Sequence, residues 1–261
     1  MRVLYIGDVV GQPGRRALHQ KLETVVGREH VDFTIVNIEN AAGGFGVTEA
    51  IIHELSDLPI HVYTSGNHIW DKKDFVDNYE HYPHVIRPAN YPAGNPGKGV
   101  VVRQTAGGID VAVLQFMGNV FMPPVDNPFY CADRELAALP PSIRVIIVDM
   151  HGEASSEKQA MGRYLDGRVS AVVGTHTHVP TADERILPNG TAYQTDVGMT
   201  GAYDSVIGFR PEEALHRFLM NTPKKLEVAK RDIRLSGALI DIDDESGRAR
   251  SIVRVREDLG E

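Results

Sequence analysis

Five short apolar runs in this sequence each end in residues able to bind a metal ion. Asp8 follows the run from Val3 to Gly7, and Glu39 and Asn40 follow the run from Phe33 to Ile38. Asn67 and His68 come after Ile60 to Ser65, His151 after Val145 to Asp149, and His176 and His178 after Val169 to Gly174. Two carboxylates, two amides and four imidazoles form a nitrogen and oxygen donor set suited to hard or borderline metals. Taken singly, each has an ordinary role: Asp caps a helix, Asn tolerates a left-handed turn, His forms hydrogen bonds. Gathered together they point to two ions rather than one. His176 and His178 lie two apart, so an extended segment would aim both the same way. Two cations about 3.5–4 Å apart can share a carboxylate and acidify the water between them. They bring more positive charge than two carboxylates cancel, roughly +2 net, which attracts phosphate.

Those residues need a scaffold that brings strand ends together. The five apolar runs read as buried strands. Between them, Ala17, Leu18, Leu22, Val25 and Val26 keep one helical face with Pro13 near its start. Thr48 is placed to cap a helix carrying Ile51, Ile52 and Leu55, and Ser155 or Ser156 to cap one carrying Ala160, Met161, Tyr164 and Leu165. Val100–Thr105 and Ile109–Phe116 flank Ala106-Gly107-Gly108 as a hairpin, and Phe116 to Pro124 reads as an irregular loop. Near the end, Glu227–Leu235, Ala238–Asp243 and Ser251–Arg256 read as three more strands, with a turn at 244–247. Alternating strands and helices make this an α/β fold of two packed sheets with helices outside. Ligands in such folds collect at the carboxyl ends of the strands.

Composition narrows the partners. The 261 residues carry 27 Lys and Arg against 35 Asp and Glu, a formal net charge of −8. A long nucleic acid needs a basic face, and the densest basic run, Lys224 to Arg234, is broken by Glu227 and Asp232. A small anion remains compatible, because bound metal reverses the local field. One cysteine, Cys131, excludes an intrachain disulfide and a thiolate metal cluster, and reads as a buried bystander. No apolar run is long enough to span a bilayer, and Asp8 comes too early for a secretory signal, so a cytoplasmic protein with no membrane partner is expected. No repeat or linker divides the chain, and residues 1–261 read as one domain.

Gly7-Asp8, Gly66-Asn67-His68, His151 and Gly174-Thr175-His176-Thr177-His178, in that order, resemble the motif series of the calcineurin-like metallophosphoesterases. Gly7-Asp8-Val9-Val10-Gly11 and Asn37-Ile38-Glu39-Asn40-Ala41-Ala42-Gly43-Gly44 are similar to the YmdB-like bacterial branch. The resemblance covers about residues 1–200. It implies a four-layer α/β/β/α sandwich of two mixed sheets flanked by helices, and a phosphodiesterase for small cyclic nucleotides such as 2′,3′-cyclic AMP. It implies two metal ions, iron with manganese as the usual substitute, and it is compatible with homo-oligomers. Asp8, Glu39, Asn40 and His178 would hold one ion; Glu39, Asn67, His151 and His176 would hold the other. His68 would serve as general acid to hydroxide attack on phosphorus. Two departures stand out: Val10 occupies a position where the wider family has histidine, and Glu39-Asn40 replaces its bridging aspartate. In the narrower branch Glu39 would bridge, and Asn40 would make good the ligand missing at Val10.

Weaker signals surround this set. Ala42-Gly43-Gly44-Phe45-Gly46 could bring backbone amides to a phosphate or act as a flexible turn, and Phe45 could stack on a base. It lacks the lysine-serine ending of a nucleotide-triphosphate loop. Glu153 and Asp196 could orient imidazoles from behind, but ordinary turn chemistry accounts for them and they are left out of the site. The competing functions are a broad phosphomonoesterase or short-RNA phosphodiesterase on the same site, and a metal-bound regulatory scaffold acting through protein contacts.

Overall fold

The computed structural model describes residues 1–260; Glu261, the last residue of the expected unit, lies outside them. The chain opens with β1 (Arg2–Ile6), a short β2 (Asp8–Val9), α1 (Gly11–Arg28), β3 (Phe33–Asn37), α2 (Glu49–Leu55) and β4 (Val62–Thr64). A 3₁₀ turn over Asn67–Trp70 leads to α3 (Lys73–Asp77), and then to β5 (Val100–Gln104) and β6 (Asp110–Met117). Next come α4 (Pro128–Ala138), β7 (Val145–His151), α5 (Ser155–Leu165), β8 (Ala171–Thr175), and the short β9 (Arg185–Ile186), β10 (Ala192–Gln194) and β11 (Met199–Ala202). α6 (Pro211–Met220) and a long hairpin, β12 (Ile233–Ile242) and β13 (Ala249–Asp258), complete the fold.

Two mixed sheets result. One runs β2-β11-β12-β1-β3-β4 with β13 paired along β12; the other runs β5-β6-β7-β8-β10-β9. β1, β3 and β4 are parallel neighbours, as are β6, β7, β8 and β10, while β12 runs antiparallel to β1. Side-chain alternation along each strand builds the layers. Val3 and Tyr5 of β1 point between the sheets, where they meet Val111 and Val113 of β6 and Ile147 of β7. Leu4 and Ile6 point outward to Leu18, Leu22 and Val25 of α1. Ala112 and Leu114 of β6 point the opposite way, to Cys131 of α4 and Met161 of α5. Helix, sheet, sheet and helix therefore stack as the expected four-layer α/β/β/α sandwich. Burial pushes the Cys131 thiol up to about 11, which suits a packed bystander.

The local readings meet the structure unevenly. Thr48 does cap α2, accepting from the Ile51 amide, and β5 and β6 do pair antiparallel. The loop expected from Phe116 starts later, because Phe116 and Met117 complete β6. The cap expected at Ser155 or Ser156 is displaced: Ala154 precedes α5 and no side chain caps it. The strand expected over 227–235 begins only at Ile233 and continues through Ser236-Gly237 as one strand to Ile242. Gly237 is no break, since a Cβ there would stand 2.1 Å from the Tyr5 carbonyl oxygen. It is a point where two backbones approach closely. Among the described residues no helix is long and apolar enough to cross a membrane.

Ile147→Ala, in the layer between the sheets, is expected to lower the unfolding free energy by about 2–5 kcal/mol. Urea unfolding should show a lower midpoint with an unchanged m-value. An unchanged midpoint would place that layer outside the cooperative core.

Candidate metal centre

The parallel strands deliver their carboxyl ends to one rim, and eight donors meet there. Asp8 opens β2 after Gly7, whose missing Cβ would stand 1.9 Å from the Gly198 carbonyl oxygen. Glu39 and Asn40 lie in the turn after β3, and the Glu39 amide is fixed by the Asn37 side chain. Asn67 and His68 start the 3₁₀ turn after β4, His151 ends β7, and His176 and His178 lie in the loop after β8. Asp8, Glu39, Asn40, His151 and His178 are buried, and Val10 is packed away against Gly201 and Gly208.

Two triads form, with Glu39 in both. Ligand atoms of Glu39, His151 and His176 lie within 4.8 Å of one another, as do those of Asp8, Glu39 and His178. Hydrogen bonds decide which imidazole atoms carry lone pairs. Thr175 donates its hydroxyl to Asp149 (2.7 Å), so His151 Nδ1, 2.9 Å from that hydroxyl oxygen, must be the donor to it. His151 Nε2 is left as an acceptor, with Asn67 Oδ1 at 3.0 Å, His176 Nδ1 at 3.1 Å and Glu39 Oε1 at 3.3 Å. Glu153 stands 3.3 Å from His176 Nε2 and draws that ring's proton outward. An amide oxygen, a carboxylate oxygen and two imidazole nitrogens thus converge, the arrangement a cation resolves. In the other triad His178 donates Nδ1–H to the Ile207 carbonyl (2.9 Å), leaving Nε2 directed inward. The Asn40 amide nitrogen lies 3.0 Å from it and 3.2 Å from Glu39 Oε1. A half-turn of the amide, with almost no change of shape, is needed to present its oxygen as a ligand.

The pKa directions agree with this donor set. Burial, reinforced by Asp196, pushes the Asp8 carboxyl up to about 7, and burial with Asp8 nearby pushes Glu39 well above the usual carboxylate range. Burial holds His176 down to about 4, His151 well below its usual value, and His178 below it too. Neutral imidazoles are ready ligands, and cationic charge is what the carboxylates need in order to ionise. Asp8 Oδ1 is buried with no hydrogen-bond partner. The residues present fit a metal centre.

The loop that carries His176 and His178 is not the extended segment expected from their spacing. Their φ angles are +95° and +65°, in the left-handed region, and the two rings enter different triads. What holds the loop is Asp196, which accepts from the Thr177 amide (3.1 Å) and hydroxyl (2.6 Å) and from the Gly198 amide (2.8 Å). Lys158 completes it, buried and 2.8 Å from Asp196, with the Thr175 carbonyl at 3.1 Å. Asp196 therefore makes the expected turn bond to Gly198 and is also a buried anchor for the loop. Sequence reasoning also passed over Asp149, which accepts from Tyr5, Gln115 and Thr175. Asp71 was a third omission; it lies 2.8 Å from His68 Nδ1, and its spacing of three across a helical turn was the signal that could have found it.

The centre opens into a cavity of about 240 Å³, lined by the polar Glu39, Asn40, His68, Glu153, His176 and His178 and by the apolar Phe45, Ile207 and Phe209. Asn67 and His151 lie behind this surface.

Two outcomes follow from the geometry. Gly66 has extended backbone, yet a Cβ there would fall 2.2 Å from Glu39 Oε2 and 2.3 Å from His151 Nε2. Gly66→Ala should keep the fold, seen by circular dichroism, and weaken Mn²⁺ binding at least tenfold; wild-type affinity would show that the triads do not hold the ion. Because a cation must displace the Asp8 proton at about 7, apparent affinity should climb as pH rises from 6 to 8. The expected slope is about tenfold per pH unit for each proton released, read by calorimetry in buffers of different ionisation enthalpy. A pH-independent affinity would contradict it.

Known proteins agree with this architecture. The model of the family described as YmdB-like protein matches residues 4–255. A Bacillus subtilis (strain 168) protein named 2′,3′-cyclic-nucleotide 2′-phosphodiesterase is 49% identical over 255 residues, 98% of this chain and 96% of that one. The structure of a hypothetical protein from Thermus thermophilus superposes with a TM-score of 0.92 at 42% identity, covering 99% of both chains. A structure described as a novel phosphatase from Mycoplasma pneumoniae gives 0.93 at 30% identity, covering 99% of this chain and 93% of that one. With its strand-end donors, its two sheets and a match along almost its whole length, this chain belongs to the YmdB-like family.

Proposed function

We propose that this chain is a metal-dependent phosphodiesterase that hydrolyses small cyclic nucleotides such as 2′,3′-cyclic AMP. The observation that carries the reading is a pair of metal-ligand triads, sharing Glu39, that open into the same cavity as His68. The name of the Bacillus subtilis relative supports the choice of substrate. Asp8, Glu39, Asn40 and His178 are assigned to one ion, and Glu39, Asn67, His151 and His176 to the other. Two cations bound there would neutralise phosphate charge and acidify water. Iron is proposed, with manganese as its substitute, since nitrogen and oxygen donors without thiolate suit both.

The chain's own groups supply the rest. The His68 backbone amide donates to Glu39 Oε2 (3.1 Å), tying the general-acid residue to the shared carboxylate. Asp71 engages His68 Nδ1, so Nε2 is the atom left to pass a proton to the departing ribose oxygen. Glu153 and the Asp149–Thr175 pair hold His176 and His151 with their lone pairs turned inward. A chain of net charge −8 with a small cavity favours a small diester over a long polymer.

Protein reconstituted with iron or manganese should hydrolyse 2′,3′-cyclic AMP, and Asn67→Ala should lose at least a hundredfold in kcat/KM. Turnover of wild type that survives Asn67→Ala would remove the chemistry from this centre. Failure to turn over despite two bound ions would discard the substrate in favour of monoesters or short RNA. His68→Ala should lose far more rate on an alkyl leaving group than on p-nitrophenolate, which departs without a proton. Equal losses would remove the general-acid role, and a His68→Ala protein with full biological effect would favour a regulatory scaffold.

A further inference from the structure

The mechanism leaves part of the cavity lining unused. The rest of the lining is largely apolar, formed by Phe45, Ile207 and Phe209. Phe209 is buried and serves as backing, and the half-buried ring of Phe45 stacks on it with centroids 5.1 Å apart and planes 19° apart. Phe45 also meets the His68 ring edge-on, with centroids 4.9 Å apart.

Backbone conformation is committed to this wall. Gly44 has φ +100°, and a Cβ there would stand 2.7 Å from the Phe209 ring, so glycine both permits the turn and makes room for the stack. Ile207 has φ +47°, a conformation a β-branched side chain rarely adopts, and leaves its side chain 48% exposed. Folding gains little from an exposed isoleucine in a strained turn. The turn is nonetheless tied to the centre, because the Ile207 carbonyl receives the His178 Nδ1–H. Strain of this kind collects where a ligand is bound.

We propose that Phe45, backed by Phe209 and flanked by Ile207, is the platform for the nucleobase of the substrate. The inference rests on the cyclic-nucleotide reading and extends it. The oxygen that His68 protonates bears the ribose, and the base attached to that ribose leaves the centre beside His68, where the Phe45 ring lies. Stacking on a phenyl ring accepts any base and rewards the larger one, so the cavity selects nucleotides over base-free diesters and purines over pyrimidines.

The test compares 2′,3′-cyclic AMP, 2′,3′-cyclic CMP and ribose 2,3-cyclic phosphate, which lacks a base, on the metal-loaded protein. Wild type should favour cyclic AMP over the base-free substrate by at least tenfold in kcat/KM, with cyclic CMP between them. Phe45→Leu should shrink that ratio about tenfold, mainly through KM, and Phe45→Trp should restore it. An unchanged ratio in Phe45→Leu, or no base preference in wild type, overturns the platform. If wild type turns over none of the three, the cyclic-nucleotide reading fails on its own account. The platform is then judged by the fluorescence of a 2-aminopurine nucleoside 3′-phosphate. Quenching by wild type that is lost in Phe45→Leu upholds it, and the absence of quenching overturns it.

Discussion

Acceptors buried against acceptors are the constraint around which this fold is arranged. His151 Nε2 faces an amide oxygen, a carboxylate oxygen and a second imidazole nitrogen, all between 3.0 and 3.3 Å. Such a cluster repels itself, and burial removes the water that would relieve it. It persists only where surrounding groups prevent the side chains from turning away. The sandwich supplies that rigidity by placing each donor at the end of a strand already paired and packed on both faces. A cation bound there would stabilise the cluster instead of having to assemble it.

Two buried networks do the holding. In the first, Tyr5 and Gln115 donate to Asp149, Thr175 donates to it as well, and His151 donates to Thr175. Every proton in the chain runs away from the centre, so the tautomer of His151 is settled deep in the layer between the sheets. In the second, Lys158 and Asp196 lie fully inside the protein and knit the loop after β8 to α5. A buried pair of this kind adds little net stability over apolar packing, but loss of either partner leaves an uncompensated charge. Its value here is positional. It fixes Thr177 between two histidines that would otherwise be free to swing.

The donors were legible in the sequence because each follows an apolar run that must be a strand, and strand ends in such sheets converge. The four layers were legible for the same reason: β1 alternates Val3 and Tyr5 with Leu4 and Ile6, and both sets are apolar, so the strand needs cover on both faces. Gly66-Asn67-His68 and the Gly-Thr-His-Thr-His run made the family legible over about residues 1–200, and the family match extends to residue 255. The supporting network was not. Asp196 meets Lys158 across 38 residues and Gln115 meets Asp149 across 34, and no local pattern encodes such pairings. The continuous β12 was misread as two strands because Ser236-Gly237 looks like a turn in isolation. It is extended only because the β1 backbone needs the space a side chain would fill.

The left-handed residues at 176 and 178 show why the alternation rule gave the wrong picture of that loop. In an extended strand the two rings would lie on one side and serve one ion. With φ of +95° and +65° the chain turns at each histidine, so His176 reaches His151 and Glu153 while His178 reaches Asn40 and Ile207. Each such conformation costs about 1–3 kcal/mol for a residue with a side chain. The three hydrogen bonds that Asp196 accepts from Thr177 and Gly198 offset that strain, and Lys158 offsets the charge of Asp196. Burial is the main cause of the shifts at Asp8, His151 and His176; Asp196 adds to the rise of Asp8 and Lys158 to the fall of the two imidazoles, while Lys158 also lowers Asp8 and Asp196 raises His176. The geometry of the loop is thus held by two buried residues, neither of which faces the cavity, while burial of the donors themselves sets most of the electrostatics.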